Sequence, residues 1–434
     1  MVKKKVTSKK ERLTGFTKLG FEYYFFFWVV LMIGNSTKFI NSFDPRTHPF
    51  SFLFLIFCGI KLLNHTNRFN NTSNWRIVFV VLLPWIIYHY FVDYSFEYGT
   101  YAQFSIKIGI GLIFASFFKE RLIEYYWKII ALLCLLSLPF WIISNIVGVQ
   151  VIAKFAPFEQ WLGEGSSFII YNTLQNINVS DTLYSGIIRN SGFCWEPGRF
   201  ATSIVFAMAC CIINNGNSIN WKSWQWIIML VSLATTQSTT GYVAFLILIL
   251  LYYMSNSYIS LTKRLIGLSF LFVSFPILMS LPFMQNKIQS NVDSDSWLIE
   301  RKEASWVEDA DMALTVDRSE GVFLDYMNML YKPVMGSGLS NKDTYLYNYI
   351  STNLTTSNGL TKPLSMLGLL IGIPFFIMFF VGLKKITKKY VSNQTNMLFI
   401  IAIVMQYSYN FMFDIFFLAL ICYGLQNNIR YINK

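Results

Sequence analysis

Residues 104–149 read FSIKIGIGLIFASFF-KERLIEYYW-KIIALLCLLSLPFWIISNIVGV. Two apolar runs, 104–118 and 128–149, stand either side of a short charged break. Each approaches the roughly 20 residues that a helix needs to cross a bilayer. The break carries Lys119, Arg121 and Lys128, the residue types that stay on the cytoplasmic side of a membrane. Lys107, one turn into the first run at its outer end, is expected to snorkel to the headgroups. Further apolar runs, separated by polar or Pro/Gly-rich breaks, follow from end to end of the chain.

By the same reading, spans are expected at approximately 20–35, 50–63, 77–92, 104–118, 128–149, 200–214, 224–237, 240–256, 265–282, 363–383, 395–412 and 414–428. Composition agrees with them. Hydrophobic residues make up 54% of the chain and charged residues only 13%. A soluble domain carries about 25% charged residues, so this chain lacks the polar surface that water requires. Placing the N-terminus inside puts most of the Lys and Arg on cytoplasmic segments, including Lys384, Lys385, Lys388 and Lys389. The net charge of +12 is thus mostly topology and needs no nucleic acid to explain it. The expected class is an all-α polytopic membrane protein, a single integral unit over 1–434, with about 12 transmembrane helices and both termini cytoplasmic.

Lys3, Lys4, Lys5, Lys9 and Lys10 precede the run Phe21 to Ile33, but no small-x-small cleavage site follows, so this run is expected to be an uncleaved first span. The six cysteines give no disulfide framework. Cys58, Cys134, Cys210, Cys211 and Cys422 fall in apolar runs, and Cys194 falls near a wet loop.

Two outward loops are long, 150–198 and 283–362, and a water-facing site would be built there. The first ends in Arg189-Asn190-Ser191-Gly192-Phe193-Cys194-Trp195-Glu196-Pro197-Gly198-Arg199. Pro197 and Gly198 break the chain before an apolar helix, which leaves Glu196 at a helix N-terminus where the dipole favours an anion. One reading makes Glu196 a capping carboxylate with Arg199 as its neighbour. The other makes it a base or acceptor for a sugar hydroxyl, flanked by Arg189 and Arg199 as holders of a diphosphate. The second loop holds Val316 to Leu330, whose apolar residues Val322, Phe323, Tyr326, Met329 and Leu330 follow helical spacing. Asp317 and Glu320 are spaced as a capping box, and Lys332-Pro333 ends the helix. Arg318 in the first turn opposes the dipole and calls for an anionic partner, either a neighbouring carboxylate or a lipid diphosphate. Asp293 to Asp311, mixed with Arg301 and Lys302, reads as a solvated helical face.

These pieces resemble, in order, the bacterial O-antigen and capsule polymerase family (the Wzy type, within the polymerase/ligase superfamily). The matching elements are the Glu196-Pro197-Gly198 segment, the turn Gln237-Ser238-Thr239-Thr240-Gly241, the Arg318-led helix, Pro333-Val334-Met335-Gly336-Ser337-Gly338, and Ser357-Asn358-Gly359. Together they cover roughly residues 185–375. The resemblance implies a helical membrane glycosyltransferase fold (GT-C type) with its site on the outer face of the cytoplasmic membrane. It further implies transfer of a growing glycan from undecaprenyl diphosphate onto a carrier-linked repeat unit, with a chain-length regulator and a flippase as partners. Thr239 stands where the family often has Arg. Ser357 stands where the ligase branch uses His, which favours polymerase over ligase.

Displacement at an anomeric carbon needs positive charge for the leaving diphosphate and a base for the attacking hydroxyl. Arg318 and Glu196 are the expected catalytic residues. Arg189, Arg199, Trp195 and Asn358 are the expected substrate-binding residues, and no cofactor or metal is expected. His89 is expected to be an interfacial ring and Asp414 a helix cap. A flippase or transporter is the rival class; its spans would be broken or charged mid-membrane.

Overall fold

Lys119 has a φ of 50°, and one helix stops there. Its N–H still bonds to Ala115 O, and the single 3-10 turn Lys119–Arg121 leads into the next helix. The computed structural model in which this turn is seen describes residues 20–34, 73–93, 96–160, 165–173, 187–256, 318–340 and 358–426, with short pieces between them.

The helices are α1 (Phe21–Gly34), α2 (Ser73–Val92), α3 (Tyr98–Phe118), α4 (Leu122–Val147), the short α5 (Val149–Ala153), α6 (Pro197–Asn214), α7 (Trp224–Thr235), α8 (Thr239–Ser255), α9 (Arg318–Tyr331), α10 (Lys362–Lys389), α11 (Thr395–Ser408) and α12 (Ile415–Leu425). The expected spans at 50–63 and 265–282 lie almost wholly outside the described residues. Among the described residues strand is confined to two pairs of two-residue segments. Phe158–Glu159 runs antiparallel to Ser166–Ser167, and Leu314–Thr315 runs parallel to Leu354–Thr355.

Among the described residues three stretches are long and apolar enough to cross a membrane: Tyr98–Val147, Pro197–Asn214 and Lys362–Lys389. Shorter apolar helices stand beside them. The least apolar of the three, α6, is the most enclosed: every residue from Pro197 to Ile213 is buried. That inversion follows from the solvent. Lipid tails leave apolar faces without a drive to hide, so helices associate where small and hydroxylated residues allow close packing. Accordingly α6 carries Gly198, Ala201, Ser203, Ala207 and Ala209, and it packs against α4, α8 and α11. A Cβ on Gly241 of α8 would come within 2.4 Å of Ala201 Cβ, which sets how near those two helices lie. Thr202 and Ser203 return their hydroxyls to the Gly198 and Arg199 carbonyls, so no polar group is stranded on the enclosed face. On the other side α12 packs between α3 and α10.

α10 is broken. Gly368 sits at φ 69° and ψ 172°, which interrupts the ladder after the first two turns. The turn that follows α9 fills the gap. Ser337 N–H donates to Ser365 O and Gly338 N–H to Met366 O, while Leu369 and Leu370 N–H donate back to Pro333 and Val334 O. Gly336 and Gly338 both have φ 77°, and a Cβ on Gly336 would stand 2.2 Å from Met366 O. The Gly-x-Gly segment is therefore a backbone splice into a broken helix, which is why only glycine fits there.

α9 turns its polar side inward. Leu324, Asp325 and Asn328 are buried against the α10 side, whereas Phe323, Tyr326 and Leu330 are about half exposed. An amphipathic helix with its apolar face outward suits the bilayer interface.

Candidate functional site

Glu196 occupies the position before the first turn of α6 in extended conformation, with Pro197 as the first helical residue. The geometry is the one expected of Pro at N1, where no N–H is needed. The Glu196 side chain makes no capping bond to the helix, so the capping alternative is set aside. Its Oε1 instead accepts the hydroxyl of Tyr409, which lies 213 residues further along the chain. Gly198 permits this contact, since a Cβ there would lie 2.5 Å from Tyr409 Oη. Trp195 places its ring edge-on to Tyr409 with centroids 6.3 Å apart, and its backbone is anchored by Gly34 O and by Asn172 Nδ2.

Tyr409 begins the corner 409–414 between α11 and α12, and the Asn358 element closes on the same corner. Gly359 N–H donates to Gln406 O at 2.7 Å, and a Cβ on Gly359 would stand 2.5 Å from both Asn410 Cα and Tyr409 O. Asn358 is fully buried, and its Oδ1 accepts Leu360 N–H at 2.8 Å and Thr361 N–H at 3.3 Å at the entry to α10. Gln406 Oε1 accepts Phe411 N–H at 2.9 Å. Three buried polar atoms here have no hydrogen-bond partner among the described residues: Asn358 Nδ2, Gln406 Nε2 and Asn410 Oδ1.

The two loop arginines stand differently. Arg189 donates from Nε to Thr236 O at 3.2 Å, while its neighbour Asn190 bonds Thr235 through both backbone and side chain. The residue-189 end of the loop is thereby tied to the turn before α8, whose Ser238 caps that helix by accepting Gly241 N–H. Arg199 is nearly buried and pairs with Asp414 at 3.1 Å. Its Nε donates to Ile33 O and its guanidinium lies 4.5 Å from the Phe411 ring centroid. It thus ties α1, α6 and the 409–414 corner together. Asp414 makes no side-chain cap bond to α12, so its expected role as a cap gives way to this ion pair. Lys107 is half-buried and interacts electrostatically with Asp414 and Arg199, where snorkelling was expected. Cys194, expected near a wet loop, is fully buried, and exclusion of water pushes its thiol pKa up.

Arg318 is the first residue of α9; its side chain lies outside the described residues, as do Asp317 and Ser357. On the same helix Asp325 accepts the hydroxyls of Thr356, Thr361 and Ser365 at 2.8, 2.6 and 3.4 Å. Burial raises its pKa to about 6, against the opposing pull of those hydroxyls and of Lys362.

His89, expected as an interfacial ring, is fully buried. Its Nδ1 pairs with Asp93 at 2.8 Å and its Nε2 meets Met335 O at 3.1 Å. Lys332 and Tyr101 also bond Asp93, at 3.2 Å each, so this group clamps the Gly-x-Gly splice onto α2 and α3.

Of the residues expected from sequence, Glu196, Trp195, Arg199 and Asn358 come to one corner, with Arg189 on the loop that leads to it. Tyr409, Gln406 and Asn410 were missed. Their only signal was a polar break inside an otherwise apolar C-terminal hairpin. Among the described residues no group of three or more His, Cys, Asp or Glu gathers to hold a metal. The chain matches no protein-family model and no curated protein.

Proposed function

We propose that this chain is a polysaccharide polymerase of the bacterial cytoplasmic membrane, with about 12 spans and both termini inside. It would transfer a growing glycan from undecaprenyl diphosphate onto a carrier-linked repeat unit at the outer face. The observation that supports this reading best is the meeting of Glu196 with Tyr409 beside the Asn358-Gly359 turn. Two motifs of the family resemblance, far apart in sequence, share one polar corner. In the reaction the acceptor hydroxyl oxygen attacks the anomeric carbon, and a new glycosidic bond forms. The bond to the diphosphate oxygen breaks, and the lipid diphosphate leaves with the electron pair. Glu196 takes the hydroxyl proton, positioned by Tyr409. Arg318 meets the charge of the leaving group, with Arg189 in support. Arg199, already paired with Asp414, holds the corner in shape.

A transporter of lipid-linked oligosaccharide is the second reading. The observations that favour it are the break of α10 at Gly368 and the charges of Lys107, Arg199 and Asp414 among the helices. Glycan chain length in a strain carrying Arg318→Ala, with membrane protein level measured in parallel, separates the two. Single repeat units without long polymer, at normal protein level, support polymerisation. Loss of every repeat unit from the outer face supports transport, and unchanged polymer removes Arg318 from the site.

A further inference from the structure

Asn358 Nδ2, Gln406 Nε2 and Asn410 Oδ1 are two donors and one acceptor, all buried and unpartnered among the described residues, all carried by segments that close on Gly359. Stranding one such group costs about 1–3 kcal/mol. Two buried carboxylates, by contrast, are answered: Asp325 by three hydroxyls and Asp93 by His89, Tyr101 and Lys332. Three stranded groups at one corner are the pattern of a site whose partner arrives from outside.

The chemistry of that partner can be read from the groups. Neutral carboxamides that offer both donors and an acceptor match hydroxyls, each of which both donates and accepts. The half-buried Glu196 carboxylate disfavours a phosphate at this point, and the unpaired amide N–H donors disfavour a cation. The rings of Trp195 and Tyr409 supply apolar surface for the C–H face of a sugar.

We infer that the Asn358–Gln406–Asn410 corner is a saccharide subsite that binds vicinal hydroxyls of a neutral sugar and presents one of them to Glu196. The inference rests on the polymerase reading for its place in the reaction, as the acceptor subsite, but sugar binding itself can be tested without it. The charged lipid diphosphate would lie outside this corner.

The test is saturation-transfer NMR on the purified full chain in lipid nanodiscs. The probes are the methyl glycosides of glucose, galactose, rhamnose and N-acetylglucosamine. Saturation should reach the ring protons of at least one, and it should fall at least fivefold in Asn410→Ala and in Gln406→Leu. Asn410→Ala removes an unpartnered acceptor, so without sugar its melting temperature should be no lower than that of wild type. No transfer from any of the four glycosides, or transfer that both variants keep, overturns the subsite. Binding lost in the variants while Glu196→Gln leaves polymer length unchanged would uphold the subsite and remove the polymerase reading. Binding kept in the variants while Glu196→Gln truncates the polymer would do the reverse.

Discussion

Two carboxylates at the two long loops, Glu196 and Asp325, have opposite surroundings. Asp325 is buried, takes a hydroxyl from each of Thr356, Thr361 and Ser365, and joins α9 to the start of α10. Glu196 is only half-buried, takes the Tyr409 hydroxyl, and has three unanswered polar groups around the same corner. A saturated cluster is a fastening; a cluster with capacity to spare is prepared for a ligand. The difference predicts that one acid governs stability and the other activity.

The largest expected effect is on activity. Glu196→Gln keeps the size of the side chain and its bond from Tyr409 but removes the base. Polymer beyond one repeat should fall by about 100-fold or more at unchanged membrane protein level, as read on a glycan ladder. If Asp325→Asn gave the same ladder, the contrast between the two acids would fail.

Next is the splice. Gly336→Ala puts a methyl group 2.2 Å from Met366 O at a φ of 77°. Such a change should cost on the order of 2 kcal/mol or more, seen as a lower melting temperature in detergent. An unchanged melting temperature would mean that α9 and α10 are not joined this way.

Asp325→Ala takes the acceptor from the Thr356 and Thr361 hydroxyls, while Ser365 keeps Lys362 O, and should cost on the order of 2 kcal/mol, with glycan length altered no more than protein level explains. The pH dependence of this site sharpens the point. The folded pKa of Asp325 is raised from 3.8 to about 6, so the folded state holds the proton more tightly than the unfolded chain. Wild type should therefore lose stability as pH rises from about 4 to about 6, and stay level above that. Asp325→Asn removes this loss, so its melting temperature should gain on that of wild type across the same window. Parallel melting curves for the two proteins over that range would contradict it.

The smallest effect is Tyr409→Phe, which leaves Glu196 in place without its hydroxyl partner. About a tenfold loss of polymerisation is expected, with little change in melting temperature.

Much of the helical frame was legible from apolar runs, and local signals placed particular ends well. The break at Pro197 falls at the start of α6, and the charged residues at 119–121 turn α3 into α4. Features set by long-range contact were not legible. Tyr409 meets Glu196 across 213 residues, and nothing local in the run before α12 distinguishes it from an interfacial tyrosine. His89 looked like a belt residue because its long-range partner, the Met335 carbonyl, comes from a loop far along the chain. Pro333 to Gly338 resembled a turn on its own, yet four of its backbone hydrogen bonds are to the broken start of α10. Periodicity located α9 but could not say which face turns inward. Asp325 decides that, because its partners Thr361 and Ser365 lie across the helix pair.

The central claim is that glycan transfer takes place at the Glu196–Tyr409 corner. The most direct measurement uses the purified chain in nanodiscs with lipid-linked repeat units isolated from its own source, counting units joined per carrier by mass spectrometry. The account predicts chains of several repeats with wild type, and only unjoined repeats with Glu196→Gln while Asp325→Asn still polymerises. Chains of equal length from wild type and Glu196→Gln, or no joining by wild type at all, would contradict it.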